Sequence, residues 1–163
     1  HLSDMELNDV KLNISEVRKI PSACIPSGNK LMQGLNYSLV KMAAKQAGFF
    51  DSIMLTVDGF ISECSSSNIF WAKGGEIFTP SDKMECVAGI IRKAIIEDSQ
   101  FKVNQGEFSV DDLKGADEIF VSNISIKLLQ VQEVEGLFVS DGKDEAYSKL
   151  SDFIERDINK FCN

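Results

Sequence analysis

Apolar residues recur along this chain in two rhythms, and the switches between them mark its elements. Over residues 31–47 the apolar positions Leu31, Leu35, Leu39, Met42 and Ala43 fall at three- and four-residue steps, the period of a helix face, and Gly48 is a natural stop. Residues 143–160 repeat that rhythm with Ala146, Leu150, Phe153, Ile154 and Ile158, which predicts an amphipathic closing helix. A third helical stretch, 89–98, opens on Gly89, and a short one is expected at 110–114. Between the helices lie short apolar runs that predict strands at 10–14, 51–57, 60–63, 68–72, 76–79, 101–104 and 117–123. A hairpin is expected from 128–135 and 137–140 about Gly136. Asp58-Gly59 and Gly74-Gly75 supply the turns between adjacent strands. Pro21 and Pro26 deny regular structure to the stretch before the first helix. Hairpins interspersed with helices imply an α+β fold, not a doubly wound parallel sheet.

Composition narrows the function. With 163 residues, 44% hydrophobic and 26% charged, the chain can bury a real core. Its net charge of −8 argues against nucleic acid or an anionic membrane surface as a general partner. No apolar run reaches the roughly 18 residues of a membrane helix, and the polar, acidic residues 1–9 do not read as a secretory leader. Cys24, Cys64, Cys86 and Cys162 form no CxxC pair and fit no zinc spacing, so free thiols in a reducing cytoplasm are expected. The single histidine is His1, which leaves no Ser-His-Asp triad, Cys-His pair or histidine-rich metal site within these residues.

Three places set polar chemistry in apolar surroundings. Lys30 stands between a Pro/Ser/Gly loop and a helix start, where an amine is either simply solvated or desolvated enough to form a Schiff base. Glu63 ends a hairpin strand and precedes Cys64-Ser65-Ser66-Ser67-Asn68; it is either exposed or a carboxylate partner for a heterocycle nitrogen. Gly89-Ile90-Ile91-Arg92 opens a helix whose free N–H groups and dipole suit a phosphate, although most glycine-led helix starts bind nothing.

The order and spacing of these strings carry more than any one of them. Asp58-Gly59-Phe60, then Ile61 to Phe70 with its strand-end glutamate, small residues and Asn-Ile-Phe, resembles the signature of the fold-type-IV pyridoxal-phosphate enzymes. These include the D-amino-acid and branched-chain aminotransferases and aminodeoxychorismate lyase. Gly74-Gly75, Phe78-Thr79-Pro80, Gly89-Ile90-Ile91-Arg92 and Ala116-Asp117-Glu118 follow in the family's order, over about residues 11–160. The resemblance implies the larger C-terminal domain of that fold, a barrel-like sheet with surrounding helices. Residues 1–20 would form the interdomain connection and first strand, and 21–163 the pyridoxal-phosphate-binding domain. Nothing in these residues resembles the family's smaller N-terminal domain. The chain therefore reads as a fragment, expected to hold cofactor weakly and to be inactive alone.

Alignment on Leu39 to Gly48 sets Lys30 at the family's Schiff-base position, with Gln33 and Gly34 in place of the usual Asn and Tyr or Arg; alignment on Asn36-Tyr37 would instead leave no lysine there. The resemblance further implies pyridoxal 5′-phosphate as cofactor, Glu63 on its ring nitrogen, and Gly89, Ile90 and Ile91, with Asn123 or Ser125, on its phosphate. Ile91 replaces a usual threonine. Glu63-Cys64, Asn68-Ile69-Phe70-Trp71 and Val121-Ser122-Asn123 resemble the lyase. That implies conversion of 4-amino-4-deoxychorismate to 4-aminobenzoate and pyruvate for folate synthesis, by a cytoplasmic homodimer. An aminotransferase and a non-catalytic binding module are the alternatives.

Overall fold

The computed structural model describes residues 9–26, 34–98 and 100–157. Two five-stranded sheets organise them. The first contains β1 (Lys11–Ile14), β2 (Asp51–Leu55), β3 (Ile61–Cys64), β9 (Glu133–Val134) and β10 (Phe138–Val139), in the order β10-β9-β1-β2-β3. The second contains β4 (Asn68–Lys73), β5 (Glu76–Pro80), β6 (Val103–Gly106), β7 (Glu118–Asn123) and β8 (Lys127–Val131), in the order β6-β5-β4-β7-β8. Three α-helices accompany them: α1 (Leu35–Gln46), α2 (Ile90–Asp98) and α3 (Glu145–Asp157). Single 3-10 turns lie at Asp82–Met84 and Val110–Leu113. The fold is α+β as expected, with the barrel-like sheet realised as two sheets that share one core.

Alternation along the strands explains the layering. On one face of the second sheet Ile69, Trp71, Ile119, Val121, Leu129 and Val131 meet Leu12, Ile53, Leu55, Ile61 and Cys64 of the first. On its other face Phe70, Ala72, Ile77, Phe120 and Leu128 meet Ile91, Ala94 and Ile95 of α2 and Ala146, Leu150, Phe153 and Ile154 of α3. The central strands β4 and β7 are thus buried on both sides, and their sequences read as nearly continuous apolar runs. Each such side chain contributes roughly 1.5–3 kcal/mol by leaving water. The β4–β5 hairpin turns on Gly74 and Gly75, both at positive φ (59° and 82°), the conformation a two-residue hairpin loop demands.

Two expected elements sit differently. The strand expected at 101–104 is Val103–Gly106, because Phe101 packs against the helix-covered cluster while Val103 enters a parallel ladder opposite Ile77. The expected single strand at 128–135 is divided. Residues up to Val131 pair with β7, and Glu133–Val134 pair with β1 in the other sheet, so the hairpin about Gly136 is β9–β10 alone. An alternating strand pattern such as Val131-Gln132-Glu133-Val134 does not reveal that the chain changes sheets partway along it.

Candidate active site

The first sheet brings a carboxylate to its buried edge. Along the β2–β3 pair, Ile53 faces Cys64 and Leu55 faces Ile61, all four in the shared core, whereas Met54 faces Glu63 and lies outside that cluster. Glu63 is therefore on the opposite face from Cys64, and it is only 3% exposed. Its Oε2 accepts from Asn68 Nδ2 at 3.1 Å and from the Val87 N–H at 3.1 Å. Its Oε1 accepts from Lys19 Nζ at 2.5 Å and from the Tyr37 hydroxyl at 3.1 Å.

Lys19 and Tyr37 complete this group from two other segments. The Lys19 side chain is 2% exposed; its N–H donates to Leu55 O at 2.9 Å, which pins the backbone beside the end of β2. Its ammonium also donates to the Tyr37 hydroxyl and lies 4.4 Å from the Tyr37 ring centroid. A buried ion pair persists only where further hydrogen bonds satisfy the remaining atoms, and here Tyr37, Asn68 and Val87 do so. Burial, then the charge and hydrogen bond of Glu63, hold the Tyr37 phenol protonated well above its ordinary range. Burial likewise pushes the Cys86 thiol up to about 11, with Arg92 opposing and Glu63 adding to the shift.

The glycine-led helix reaches the same place. Asn68 bonds both Glu63 and the Val87 carbonyl, the latter at 2.9 Å. At Gly89 a Cβ would stand 2.3 Å from Asn68 Oδ1, so only glycine lets the start of α2 close on the first residue of β4. The first backbone bond of the helix runs from Lys93 N–H to Gly89 O, and the N–H groups at its start have no acceptor within it. Across the β4–β7 ladder Asn68 faces Ser122, whose buried Oγ has no hydrogen-bond partner among the described residues. Arg92 is 4% exposed and donates to Asp82, Pro80 O and Gln105, which ties the 3-10 turn before α2 to β5 and β6.

The structure thus brings Glu63 and Gly89 together through Asn68 and Val87. Ile91 is buried in the helix–sheet core and Ile90 is 44% exposed, so each offers its backbone N–H rather than its side chain. Asn123 follows Ser122, but its side chain is occupied. Nδ2 donates to Ser66 O at 2.9 Å, and Oδ1 accepts the Ser125 and Ile126 N–H groups at 2.8 and 2.9 Å. Asn123 therefore closes the turn into β8, and Ser125 is exposed beside it with its N–H engaged. Lys30 lies outside the described residues. Asp51 is fully buried and holds the Ser65–Ser66 loop through both N–H groups and both hydroxyls.

Lys19, Tyr37, Asn68 and Ser122 were not among the site residues expected from sequence. Tyr37 carried a signal, since Asn36-Tyr37 matches a family string, but the alignment on Leu39 to Gly48 set Gly34 at the tyrosine's place. Lys19 carried none.

A buried carboxylate, a phenol and a glycine-tight helix start come together between β3, α1 and the start of α2, in a fold shared with the class IV aminotransferases. The chain belongs to that family: the family model "Amino-transferase class IV" matches residues 2–134. It is 34% identical to the branched-chain-amino-acid aminotransferase of Salmonella typhimurium over 76% of this chain and 40% of that one. It is 29% identical to the aminodeoxychorismate lyase of Vibrio harveyi over 92% of this chain and 55% of that one. The branched-chain aminotransferase of Escherichia coli superposes with a TM-score of 0.81 at 29% identity, covering 88% of this chain and 50% of that structure. The T.th. branched-chain aminotransferase with pyridoxamine 5′-phosphate gives 0.85 at 22% identity, covering 98% and 54%. The chain spans about half the length of these relatives. Pyridoxal 5′-phosphate is the cofactor the family implies, and the donor set fits it. The Glu63 carboxylate could accept from a protonated ring nitrogen in exchange for one of its present donors, and the α2 start with Ser122 could offer donors to an anion.

Proposed function

We propose that this chain forms the cofactor-holding part of a pyridoxal-phosphate enzyme acting on the amino group of a small substrate, as a homodimer. The observation that supports this best is the buried Glu63 carboxylate, joined through Asn68 to the Gly89 helix start. Glu63 would accept from the ring nitrogen and favour its protonated form, since an adjacent opposite charge stabilises the cation. Ile90 and Ile91 would present N–H groups to the phosphate, with Gly89, whose own N–H is held by Val87 O at 2.9 Å, leaving room for it at the helix start and the Ser125 hydroxyl at the rim. Lys30 would hold the cofactor covalently and carry the proton moved during turnover. Bound there, the cofactor supplies an electron sink for bonds beside the amine-bearing carbon.

The substrate we propose is 4-amino-4-deoxychorismate, released as 4-aminobenzoate and pyruvate. The lyase of Vibrio harveyi matches along more of this chain than the Salmonella aminotransferase does, and the strings at Asn68 to Trp71 and Val121 to Asn123 support the same reading. Cys64 adds nothing to it, because its side chain packs in the core between the sheets, away from Glu63. The second reading is branched-chain transamination, favoured by the higher identity to the aminotransferases. The full-length protein separates the two. Formation of 4-aminobenzoate without an amino acceptor supports the lyase. Turnover of leucine only with a 2-oxo acid supports the transaminase and removes the lyase reading. Borohydride reduction of the loaded protein should place the pyridoxyl group on Lys30; a label on Lys41 or Lys45, or none, would remove that assignment.

A further inference from the structure

Both oxygens of Glu63 are already engaged, so a ring nitrogen that donates to this carboxylate must replace one of its present donors. Asn68 is held in place by its second bond, from Nδ2 to Val87 O, and the Val87 N–H is fixed in the backbone. Tyr37 is neutral and donates to the same oxygen as Lys19. Lys19 is the one donor that is charged, carries a flexible four-carbon stem, and would repel a protonated ring.

A second seat for its ammonium lies beside it. A cavity of about 130 Å³ is lined by Lys19, Thr56, Asp58, Lys83, Glu85 and Glu107. Three of these residues are carboxylates. One of them, Glu85, ends the 3-10 turn in the left-handed region (φ 64°), and its Oε2 is buried without a hydrogen-bond partner among the described residues. An unpaired buried carboxylate oxygen is costly, and an arriving ammonium removes that cost.

We propose that Lys19 is a two-position switch: its ammonium pairs with Glu63 before the cofactor binds, and swings into the Asp58–Glu85–Glu107 cavity when the cofactor's ring nitrogen takes its place on Glu63. This rests on the pyridoxal-phosphate reading above. Lys19 is a positioning residue in this scheme, because the ring nitrogen and the aldehyde carbon stand at opposite ends of the cofactor ring, and an amine at Glu63 is at the nitrogen end.

The test uses the full-length protein and pyridoxine 5′-phosphate, which has the ring nitrogen and phosphate but no aldehyde to bond a lysine. Lys19→Met should bind it about tenfold more tightly than wild type, since no ammonium competes for Glu63. Glu85→Gln should bind it several-fold more weakly, because the displaced ammonium loses its second seat. That variant keeps the Lys19–Glu63 pair and so tests the switch even if Lys19→Met fails to fold. In the Lys19→Met background, Glu85→Gln should have no further effect. Equal affinity in Lys19→Met and wild type, or an unchanged Glu85→Gln effect with and without Lys19, would overturn the switch. Folded wild type and variants that all fail to bind would remove the cofactor reading, and the switch with it.

Discussion

Glu63 and Glu118 are both buried carboxylates, 3% and 4% exposed, on strands of different sheets, yet their surroundings differ in kind. Glu118 accepts the N–H groups of Ala146 and Tyr147 at 2.8 and 2.9 Å, and so caps the start of α3. Those donors are fixed in the backbone. Glu63 has one backbone donor and three side-chain donors, drawn from three separate segments. A buried charge met by backbone alone holds a structure together. One met by a side-chain ammonium and a phenol has donors that a ligand could replace. The lesson is that burial by itself does not mark a site; the exchangeability of the partners does.

The sharpest way to break this comparison is to neutralise each carboxylate. In the full-length enzyme Glu63→Gln should lower turnover by orders of magnitude, because the ring nitrogen loses the charge that keeps it protonated. Glu118→Gln should leave turnover per folded molecule nearly unchanged. Steady-state rates normalised to folded protein decide; near-normal turnover in Glu63→Gln would remove that residue from the site.

Stability should move the other way. Glu118→Ala strips two charge-assisted bonds from the α3 start and should cost roughly 3–6 kcal/mol, given about 1.5–3 kcal/mol for each bond to a charged group. Urea unfolding measures it, and a loss near zero would show that α3 needs no such cap. Lys19→Met should cost less than the roughly 3–5 kcal/mol typical of a broken buried pair, because Glu63 keeps Tyr37, Asn68 and Val87 as donors.

A smaller effect appears on the alkaline side, carried at the Glu63 end by two thiols and at the Glu118 end by Tyr147, whose phenol burial raises. The Cys86 thiol is held up at about 11 and Cys64 well above its ordinary 9.0, in both cases chiefly by burial, with Glu63 contributing. The folded state therefore keeps these protons longer than the unfolded chain does. The stability they contribute is complete below pH about 9 and is lost as pH rises, in the case of Cys86 toward 11, at about 1.4 kcal/mol per pH unit for each thiol. Tyr37, also raised by burial first and then by Glu63, joins above its ordinary 10.0. Cys86→Ala should halve the slope just above pH 9; an unchanged slope would show that Cys86 is not protected by the fold.

What the sequence made legible follows the same division. Backbone-determined features were readable: Gly74-Gly75 fixed a hairpin, Gly89 a close helix start, and the Phe153–Ile154 stripe of α3 is buried as its period implies. The matching stripe of α1 is not: Leu35, Leu39 and Met42 are 71%, 48% and 60% exposed, while Val40 and Ala44 pack inward. Periodicity identified that helix without showing which side meets the core. Glu63 was legible because a strand-end glutamate followed by small residues is a recognisable string. Lys19 was not, because it lies in a proline-interrupted loop and acquires its meaning only from a partner 44 positions away. Its burial is a product of tertiary structure, and local patterns do not encode it.

The division of residues 127–134 between the sheets also bears on how the chain reaches its fold. β1 sits between β2 and β9, and Leu12 pairs with Val134, about 120 residues later. Closing so long a loop delays that pairing, and such non-local strands slow folding. During synthesis β1 and β2 leave the ribosome well before β9, the strand that covers the other side of β1. Until then β1 presents an open edge, able to pair with a neighbouring nascent chain. The last strands of the first sheet therefore act as its closing stitch, and the interval before they arrive is when the chain has most need of a chaperone.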